Sequence, residues 1–445
     1  MPPIASGAAT PQLSRPMTDV PAPRDAPLVG HARPDTTPPP QAETSASDPP
    51  DRWRMLALLA LAELLGMSLW FAGSAVAPQL AERWQLSPAE TGWLSTAVQL
   101  GFVAGTAAAA ILNLADVLPS RFYFAGAALA AAVANALLVA APGYRAALAC
   151  RFLTGGLLAG VYPPAMKMAA TWFRARRGLA IGTVVGALTI GKATPYLVHA
   201  LPGAGTSLVV LSASAAAAIA ALLVAGGYRD GPVPFPRRPF SWSLVGAVLR
   251  ERDYRLVLGG YCGHMLELYS YWVWIPAFLG ASVAAAAAAR GTAPGAAAEL
   301  VALLSFAVIA VGALGCVWGG VAADQIGYAR LTVIAMTVSG SCALATPAVF
   351  GRPLALLVPV VLLWGASVVA DSAQFSTLVT RVVPSHAVGT ALTLQTSLGF
   401  LLTTVSIQLV PPVVAAVGWR WAFPMLAVGP ALGIAAIRRL RGDPR

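Results

Sequence analysis

Three acidic residues lie inside long apolar stretches of this sequence: Glu63, Glu267 and Asp371. An ionisable side chain in such surroundings is costly unless it is paired or hydrated, so each is a candidate functional group. A carboxyl group in an apolar cavity can take up and release a proton, and we predict this coupling role for Glu63 and Glu267. The alternative is a structural acid, bonded to a backbone amide or, for Glu267, to His264 one turn earlier. Asp371 shares a helix face with Gln374, as is typical of a hydrated wall.

Three basic residues also lie in apolar stretches. Of the 29 Lys and Arg residues in the chain, only Lys167 and Lys192 are lysines. Lysine can exchange a proton or act as a compact cation, whereas arginine stays charged. We predict that Lys192, between Gly191 and Pro195, is functional, whereas Lys167 lies near a helix end and can extend its ammonium to water. Arg151 has a planar fork that suits carboxylate or nitrate-like oxyanions; the alternative is a permanent salt bridge between two helices.

Aromatic side chains accompany two of the acids at a helical spacing. Glu63 precedes Trp70 by seven residues, and Glu267 precedes Trp274 by seven. Seven residues are about two helical turns, so each acid shares a helix face with its tryptophan. We predict that Trp70, Trp274 and Tyr271, from the same aromatic cluster, line a cavity.

The elements that position these groups must be transmembrane helices. Only 11% of the 445 residues are charged and 57% are hydrophobic, whereas a soluble domain carries roughly 25% charged residues. Several apolar stretches approach the roughly 20 residues that cross a bilayer core, and lipid offers no partner for backbone polar groups outside a helix. We predict twelve helices, at about 54–79, 90–114, 121–141, 145–172, 177–200, 206–226, 254–281, 298–322, 330–350, 353–380, 386–414 and 418–438.

The distribution of arginine predicts the topology. Arginines collect in alternate loops between the predicted helices, which places both termini in the cytoplasm and attributes the net charge of +11 to topology, not to nucleic-acid binding. The longest loop follows the sixth helix and separates two equal halves. We therefore predict a disordered cytoplasmic tail at 1–51, an N-terminal six-helix bundle at 52–226, a cytoplasmic linker at 227–253, a C-terminal six-helix bundle at 254–438 and a cytoplasmic tail at 439–445.

Motifs for metal binding and catalysis are missing from the sequence. The four cysteines form neither a CxxC pair nor a cluster with histidine, which argues against a metal site or a disulfide. The sequence contains no glycine-rich phosphate loop and no hydrolase motif. We expect no cofactor, no metal and no enzymatic activity.

A loop motif is present twice, after the predicted second and eighth helices. The complete copy has the spacing G-x-x-x-D-x-x-G-x-x-R, at Gly320, Asp324, Gly327 and Arg330. The other copy keeps Asp116 and Arg121 but has lost its glycines. The complete copy resembles the cytoplasmic signature of the major facilitator superfamily, and the resemblance covers roughly residues 52 to 440.

Two other segments bear on this resemblance. Arg151, followed by Gly155, Gly156 and Gly160, is similar to the motif in the fourth helix of the family. The segment at 172–182 resembles the loop before helix five in branches that carry small inorganic and organic anions. The G-P-x-x-x-G-G pattern of drug/proton antiporters is not found in the fifth helix, which argues against drug export.

The resemblance implies an all-α integral membrane fold of twelve transmembrane helices in two pseudo-symmetric six-helix bundles. In that fold helices one, four, seven and ten line the central cavity, and Glu63, Glu267 and Asp371 all fall on them. It also implies a secondary carrier that works by alternating access in the cell inner membrane, with Asp324 and Arg330 as a cytoplasmic latch and Asp116 and Arg121 as a weaker one.

The charges favour one kind of transport. Two cations, Arg151 and Lys192, favour a proton symporter of a small anionic substrate. The aromatic cluster would instead serve proton-coupled efflux of an amphipathic compound, and a non-transporting membrane sensor is the alternative from another class. The expected partners are a small-molecule substrate, protons or a co-transported ion, and the lipid bilayer. We expect a monomer that binds no nucleic acid.

Overall fold

The computed structural model of the chain describes residues 49–173, 176–232, 241–291 and 297–440, without the side chains of residues 115, 116 and 177. Most of the two predicted tails and part of the predicted linker lie outside these residues. Every element of secondary structure within them is a helix. The all-α prediction is therefore confirmed.

Ten α-helices form the N-terminal bundle of the described chain. They are α1 (Arg52–Met67), α2 (Ala72–Ala75), α3 (Ala77–Trp84), α4 (Pro88–Ile111), α5 (Leu114–Val117), α6 (Ser120–Ala136), α7 (Tyr144–Leu158), α8 (Tyr162–Ala170), α9 (Arg177–His199) and α10 (Thr206–Gly227).

After the linker helix α11 (Trp242–Arg250), the remaining helices form the C-terminal bundle. They are α12 (Arg252–Ala289), α13 (Ala297–Ala310), α14 (Gly312–Ile326), α15 (Tyr328–Val349), α16 (Leu354–Ala370), α17 (Ser372–Val382), α18 (Val388–Ala422) and α19 (Val428–Ile437), with 3-10 turns at Ser385–Ala387 and Phe423–Ala427.

The helices account for the twelve predicted crossings. Within the described ranges, nine helical segments are long and apolar enough to cross a membrane. The last of them, Ser385–Ile437, contains a sharp turn at Gly418, where φ is 72°, and so fits two crossings. The other two predicted crossings fall on α6, with 17 residues, and on the broken series α1 to α3.

The helices pack within each bundle, and two contact regions join the bundles. Within the N-terminal bundle α4 packs on α7, α6 on α10 and α1 on α9; within the C-terminal bundle α12 packs on α18 and α19, and α15 on α16. Between the bundles α4 packs on α18, and α9 packs on α13 and α14. The cavity described below lies between these two contacts.

Glycine permits the closest helix contacts. A Cβ atom at Gly155 of α7 would overlap the carbonyl oxygen of Val98 in α4, and one at Gly101 would overlap that of Phe152. Small residues let helix backbones approach closely in a membrane, where van der Waals packing drives association. These contacts fix α7, and with it Arg151, against its neighbours.

Candidate functional site

A cavity of about 100 Å³ lies between the two bundles. Most of its large side chains are aromatic: Trp70, Phe102, Tyr162, Tyr261, Tyr269, Trp272 and Phe400. Its polar side chains are Lys192, His264, Thr189, Ser372, Ser376 and Thr396. A larger hollow of about 460 Å³ between α4 and α7 is lined by apolar side chains such as Trp93 and Phe152, and offers no group for chemistry.

Lys192 reaches this cavity from α9 and is almost completely buried. Its Nζ donates a hydrogen bond of 2.7 Å to the hydroxyl of Tyr269. The same atom lies 4.0 Å from the ring centroid of Trp70 and 5.0 Å from that of Trp272. An ammonium is attracted to aromatic faces at such distances. Because Tyr269 and Trp272 belong to α12, this cation links the two bundles.

Glu63 lies on α1, fully buried beside α9. Gly191 makes this approach possible, since a Cβ atom there would overlap the carbonyl oxygen of Leu64. Neither carboxyl oxygen of Glu63 has a hydrogen-bond partner within the described residues. It interacts electrostatically with Lys192. Glu63 is not among the residues that line the cavity.

Arg151 does not pair with a carboxylate of the described residues. α1 ends at Met67, and the chain continues through turns that leave backbone carbonyls outside the helical ladder. The guanidinium donates to the carbonyls of Leu69 (3.1 Å) and Trp70 and to the amide oxygen of Asn135 (3.0 Å). The predicted contact between the fourth and first helices is present, but in it Arg151 binds backbone oxygens instead of a carboxylate.

Glu267 is buried inside the C-terminal bundle. Ser339 of α15 donates to one carboxyl oxygen at 2.8 Å, and Trp364 Nε1 of α16 donates to the other at 2.8 Å. Glu267 does not line the cavity. His264, the partner considered from the sequence, binds elsewhere.

Asp371 lies behind His264 at the junction of α16 and α17. Its Oδ1 lies 2.9 Å from His264 Nδ1, and both side chains are 2% exposed. On the other side of the ring, His264 Nε2 lies 3.0 Å from Ser372 Oγ. His264 and Ser372 line the cavity, whereas Asp371 and Gln374 do not. Gln374 is buried, and its Nε2 has no partner within the described residues.

Of the three aromatic residues predicted to line a cavity, Trp70 lines this one, whereas Tyr271 and Trp274 are not among its lining residues. Tyr271 donates to the carbonyl of Val361 at 2.8 Å, and Trp274 Nε1 donates to that of Ile407 at 2.9 Å. Successive residues of a helix point around its whole circumference, so neighbours in a cluster diverge.

The residues of α12 that do line the cavity form a separate stripe. They are Tyr261, His264, Met265, Leu268, Tyr269 and Trp272. Their spacing of three and four residues is the signal from which the sequence could have identified them. On the first helix the predicted seven-residue pairing lacks a continuous helix, because α1 ends at Met67, between Glu63 and Trp70.

The loop motif after α14 makes a different contact from the predicted latch. Gly327 ends α14 with a φ of 93°, a conformation that favours glycine. Tyr328, the next residue, donates to Asp324 Oδ1 at 2.7 Å and carries the guanidinium of Arg381 4.4 Å above its ring. Arg330 is exposed, and the ion pairs of the described residues do not join it to Asp324.

The remaining residues of the two loop motifs are Gly320, Arg121 and Asp116. A Cβ atom at Gly320 would lie 4.0 Å from the carbonyl oxygen of Gly178, so the motif borders the contact of α14 with α9. The guanidinium of Arg121 lies 4.4 Å from the ring of Phe122. The side chain of Asp116 is outside the described part of the chain.

Comparison with known proteins agrees with this architecture. A family model for the Major Facilitator Superfamily matches residues 58–407. The chain belongs to this superfamily. It is therefore a multi-pass membrane protein and a secondary transporter, not an enzyme.

A solved structure with the same fold is an aspartate-to-alanine variant of the nucleoside transporter NupG. It is similar to this chain with a TM-score of 0.66 and 14% identity, over 87% of this chain and 100% of the other. At that identity the likeness is one of fold. No curated protein sequence is significantly similar to this chain.

Proposed function

We propose that this transporter moves a small organic anion together with a proton, and that the anion binds at Lys192. One observation carries the proposal: of the described residues that line the cavity, Lys192 is the only lysine or arginine. No carboxylate is among them. A cavity with a single cation is complementary to an anion.

The other cavity walls narrow the class of substrate. Aromatic rings offer flat apolar surfaces, and the hydroxyls of Thr189, Ser372 and Thr396 offer hydrogen bonds. Cavities for drug-sized ligands measure about 300–1,000 Å³, whereas this one measures about 100 Å³. A small, flat organic anion fits these properties best.

Coupling to protons would follow from the position of Glu63. Without substrate, a charged Lys192 would offset the negative charge of Glu63, with which it interacts electrostatically across α1 and α9. An anion that binds Lys192 becomes the counter-ion of its ammonium. The carboxylate of Glu63 is then buried without a counter-charge, which is costly in free energy. Glu63 then takes up a proton, so anion and proton are carried together.

We also propose a setting for this cycle. The arginine distribution supports a cytoplasmic location for both termini. The setting that we propose is a monomer in the cell inner membrane. The two bundles would rock about the cavity, which opens alternately to each side.

Thermal-shift measurements on detergent-purified protein test the anion site. The ligands are benzoate with its neutral isostere benzamide, and pyruvate with pyruvamide. We expect an acid to raise the melting temperature and its amide to leave it unchanged. Lys192→Met should abolish the shift, whereas Lys167→Met, which alters the other lysine, should keep it.

The amides also test a second candidate function, proton-coupled efflux of an amphipathic compound, which the aromatic walls favour. Equal shifts in melting temperature from benzoate and benzamide would contradict the anion site and support efflux of an amphipathic compound. A shift from benzoate that persists in Lys192→Met would contradict the proposed site.

Proteoliposomes with an imposed pH gradient test the coupling. Labelled pyruvate is a suitable solute, because its neutral form is too scarce at neutral pH to leak quickly. We expect Glu63→Gln to lose accumulation but to keep pyruvate exchange. Unchanged accumulation in this variant would exclude Glu63 from the coupling role.

A further inference from the structure

The buried charges of the two bundles are unequal. The described residues of the N-terminal bundle bury Glu63 with two cations, Arg151 and Lys192. Those of the C-terminal bundle bury two acids, Glu267 and Asp371, with neither lysine nor arginine. A buried carboxylate without a counter-charge is strongly destabilising. The remaining ionisable side chain with which Asp371 can pair is His264.

His264 connects Asp371 to the cavity. Its Nδ1 lies 2.9 Å from Asp371 Oδ1, and its Nε2 lies 3.0 Å from Ser372 Oγ. Asp371 is the last residue before α17, and Ser372 is the first residue of that helix, so one break in the tenth predicted helix supplies both partners. Histidine is the side chain whose charge changes most readily near neutral pH.

The other titratable groups around His264 are few. On α12, the ring of Tyr261 lies 6.1 Å away, and Glu267 interacts electrostatically with Asp371. Cys316 of α14 also interacts with Asp371. The cavity is also lined by Lys192, by Tyr162 and, on α12, by Tyr269. Of these groups, Asp371 contacts the ring directly, and Lys192 is the other basic side chain that lines the cavity.

We propose that His264 is a second proton-binding group of the transport cycle, and that its imidazolium presents a positive charge to the cavity from the C-terminal bundle. Asp371 and Ser372 are positioning residues that orient the ring. The use of this proton in transport rests on the proposed function, but its uptake by His264 does not.

The proton transfer follows from the hydrogen-bonding capacity of each group. In the proposed cycle neutral His264 carries its ring proton on Nδ1, which lies 2.9 Å from Asp371 Oδ1, and its Nε2 accepts from the Ser372 hydroxyl. A proton from a hydronium ion in the cavity adds to the Nε2 lone pair and leaves a water molecule. Ser372 then rotates and accepts from Nε2–H. An anion held at Lys192 gains a second cation, and release of the anion favours return of the proton to water.

Nuclear magnetic resonance of the full chain labelled with ¹⁵N-histidine tests this directly. The detergent-solubilised protein is titrated between about pH 5 and pH 8, the range in which histidine titrates. His264→Gln identifies the His264 signal by its loss, and His199→Gln is the matched control, because His199 contacts Gln79 outside the cavity. We expect the signal to change from the Nδ1–H tautomer to the imidazolium within this range.

Two further variants separate a proton site from a structural histidine. Asp371→Asn should move the transition to more acid pH, because it removes the negative charge that stabilises the imidazolium. Ser372→Ala should keep a transition. A His264 that is neutral throughout, or charged throughout, overturns the proposal, as does an unchanged transition in Asp371→Asn.

Failure of the His264 proposal and failure of the proposed anion site give different experimental results. If neither benzoate nor pyruvate binds the parent protein, the proposed anion site fails while the titration still decides the role of His264. If Lys192→Met abolishes anion binding but His264 does not titrate, this inference fails and the anion site stands. If both hold, pyruvate binding should strengthen as the pH falls, and His264→Gln should remove that dependence.

Discussion

At the scale of single residues, Arg151 uses its guanidinium to satisfy backbone oxygens at the break after α1. Three of its contacts, to Leu69, Trp70 and Asn135, need donors in a fixed planar arrangement. Lysine presents a single flexible ammonium and cannot reproduce that arrangement. The position of Trp70 in the cavity therefore depends on an arginine that does not itself line the cavity.

We predict that Arg151→Lys lowers the free energy of unfolding by about 2–4 kcal/mol, since it leaves buried carbonyls without donors. The measurement is the melting temperature in one detergent. Arg145→Lys is the matched control, because Arg145 lies on the same helix but is exposed. A melting temperature equal to that of the parent would show that the break needs no guanidinium.

Glu267 offers a second test at this scale. Glu267→Ala removes the acceptor of Trp364 Nε1–H, whereas Ser339 keeps a bond to the carbonyl of Met336, and we expect a loss of about 1–3 kcal/mol in stability from the unsatisfied indole. Glu267→Gln keeps an acceptor and should cost under about 1 kcal/mol. Thermal melts compare the two, and equal losses would contradict this account. Pyruvate accumulation by Glu267→Gln then tests the predicted coupling role separately.

At the scale of elements, several cavity helices are broken where they meet the site. α1 ends at Met67, and α16 gives way to α17 at Asp371. Irregular backbone is tolerated at membrane depth only where it is bonded within the protein or lines a hydrated cavity. At the first break Arg151 bonds the carbonyls of Leu69 and Trp70, and at the second the break supplies both partners of His264.

The contact between α4 and α7 leads to a packing prediction. Gly155→Ala places a methyl group against the carbonyl of Val98, and we expect a loss of about 1–3 kcal/mol in stability. Gly126→Ala on α6 is the control: nothing lies within 4 Å of its added Cβ, so the higher helix propensity of alanine should leave stability unchanged or raise it by up to about 1 kcal/mol. Similar melts for both variants would contradict the close contact.

At the scale of the whole molecule, transport requires the two bundles to move relative to one another. A Cβ atom at Gly186 of α9 would lie 3.6 Å from the Cβ of Ala313 in α14. Disulfides join Cβ atoms about 3.5–4.5 Å apart. We predict that Gly186→Cys with Ala313→Cys forms a disulfide and arrests pyruvate uptake, and that reduction restores it.

The native cysteines are replaced by alanine for this experiment, and each single cysteine variant is a control. A gel shift after cleavage in the linker reports the cross-link. Full uptake by cross-linked protein would show that α9 and α14 do not separate during transport.

The agreement between sequence and structure also depends on scale. The positions of the twelve helices followed from apolar length, since a bilayer core sets the length of each element. The burial of Glu63, Lys192, Glu267 and Asp371 followed from their apolar neighbours. The hydrogen-bond partners of these residues could not be predicted in this way. A partner comes from another helix, whose rotation and depth are set by packing.

The sequence by itself determined that this chain is a membrane protein built from helices with a few charges held in apolar surroundings, because hydrophobic length and backbone hydrogen bonding leave no other solution. Only the tertiary structure decided which charges share the cavity. It brought Lys192 against Tyr269 and Trp272, placed His264 between Asp371 and Ser372, and bonded Arg151 to backbone carbonyls. These contacts join residues up to 108 positions apart, and helix periodicity carries no information on them.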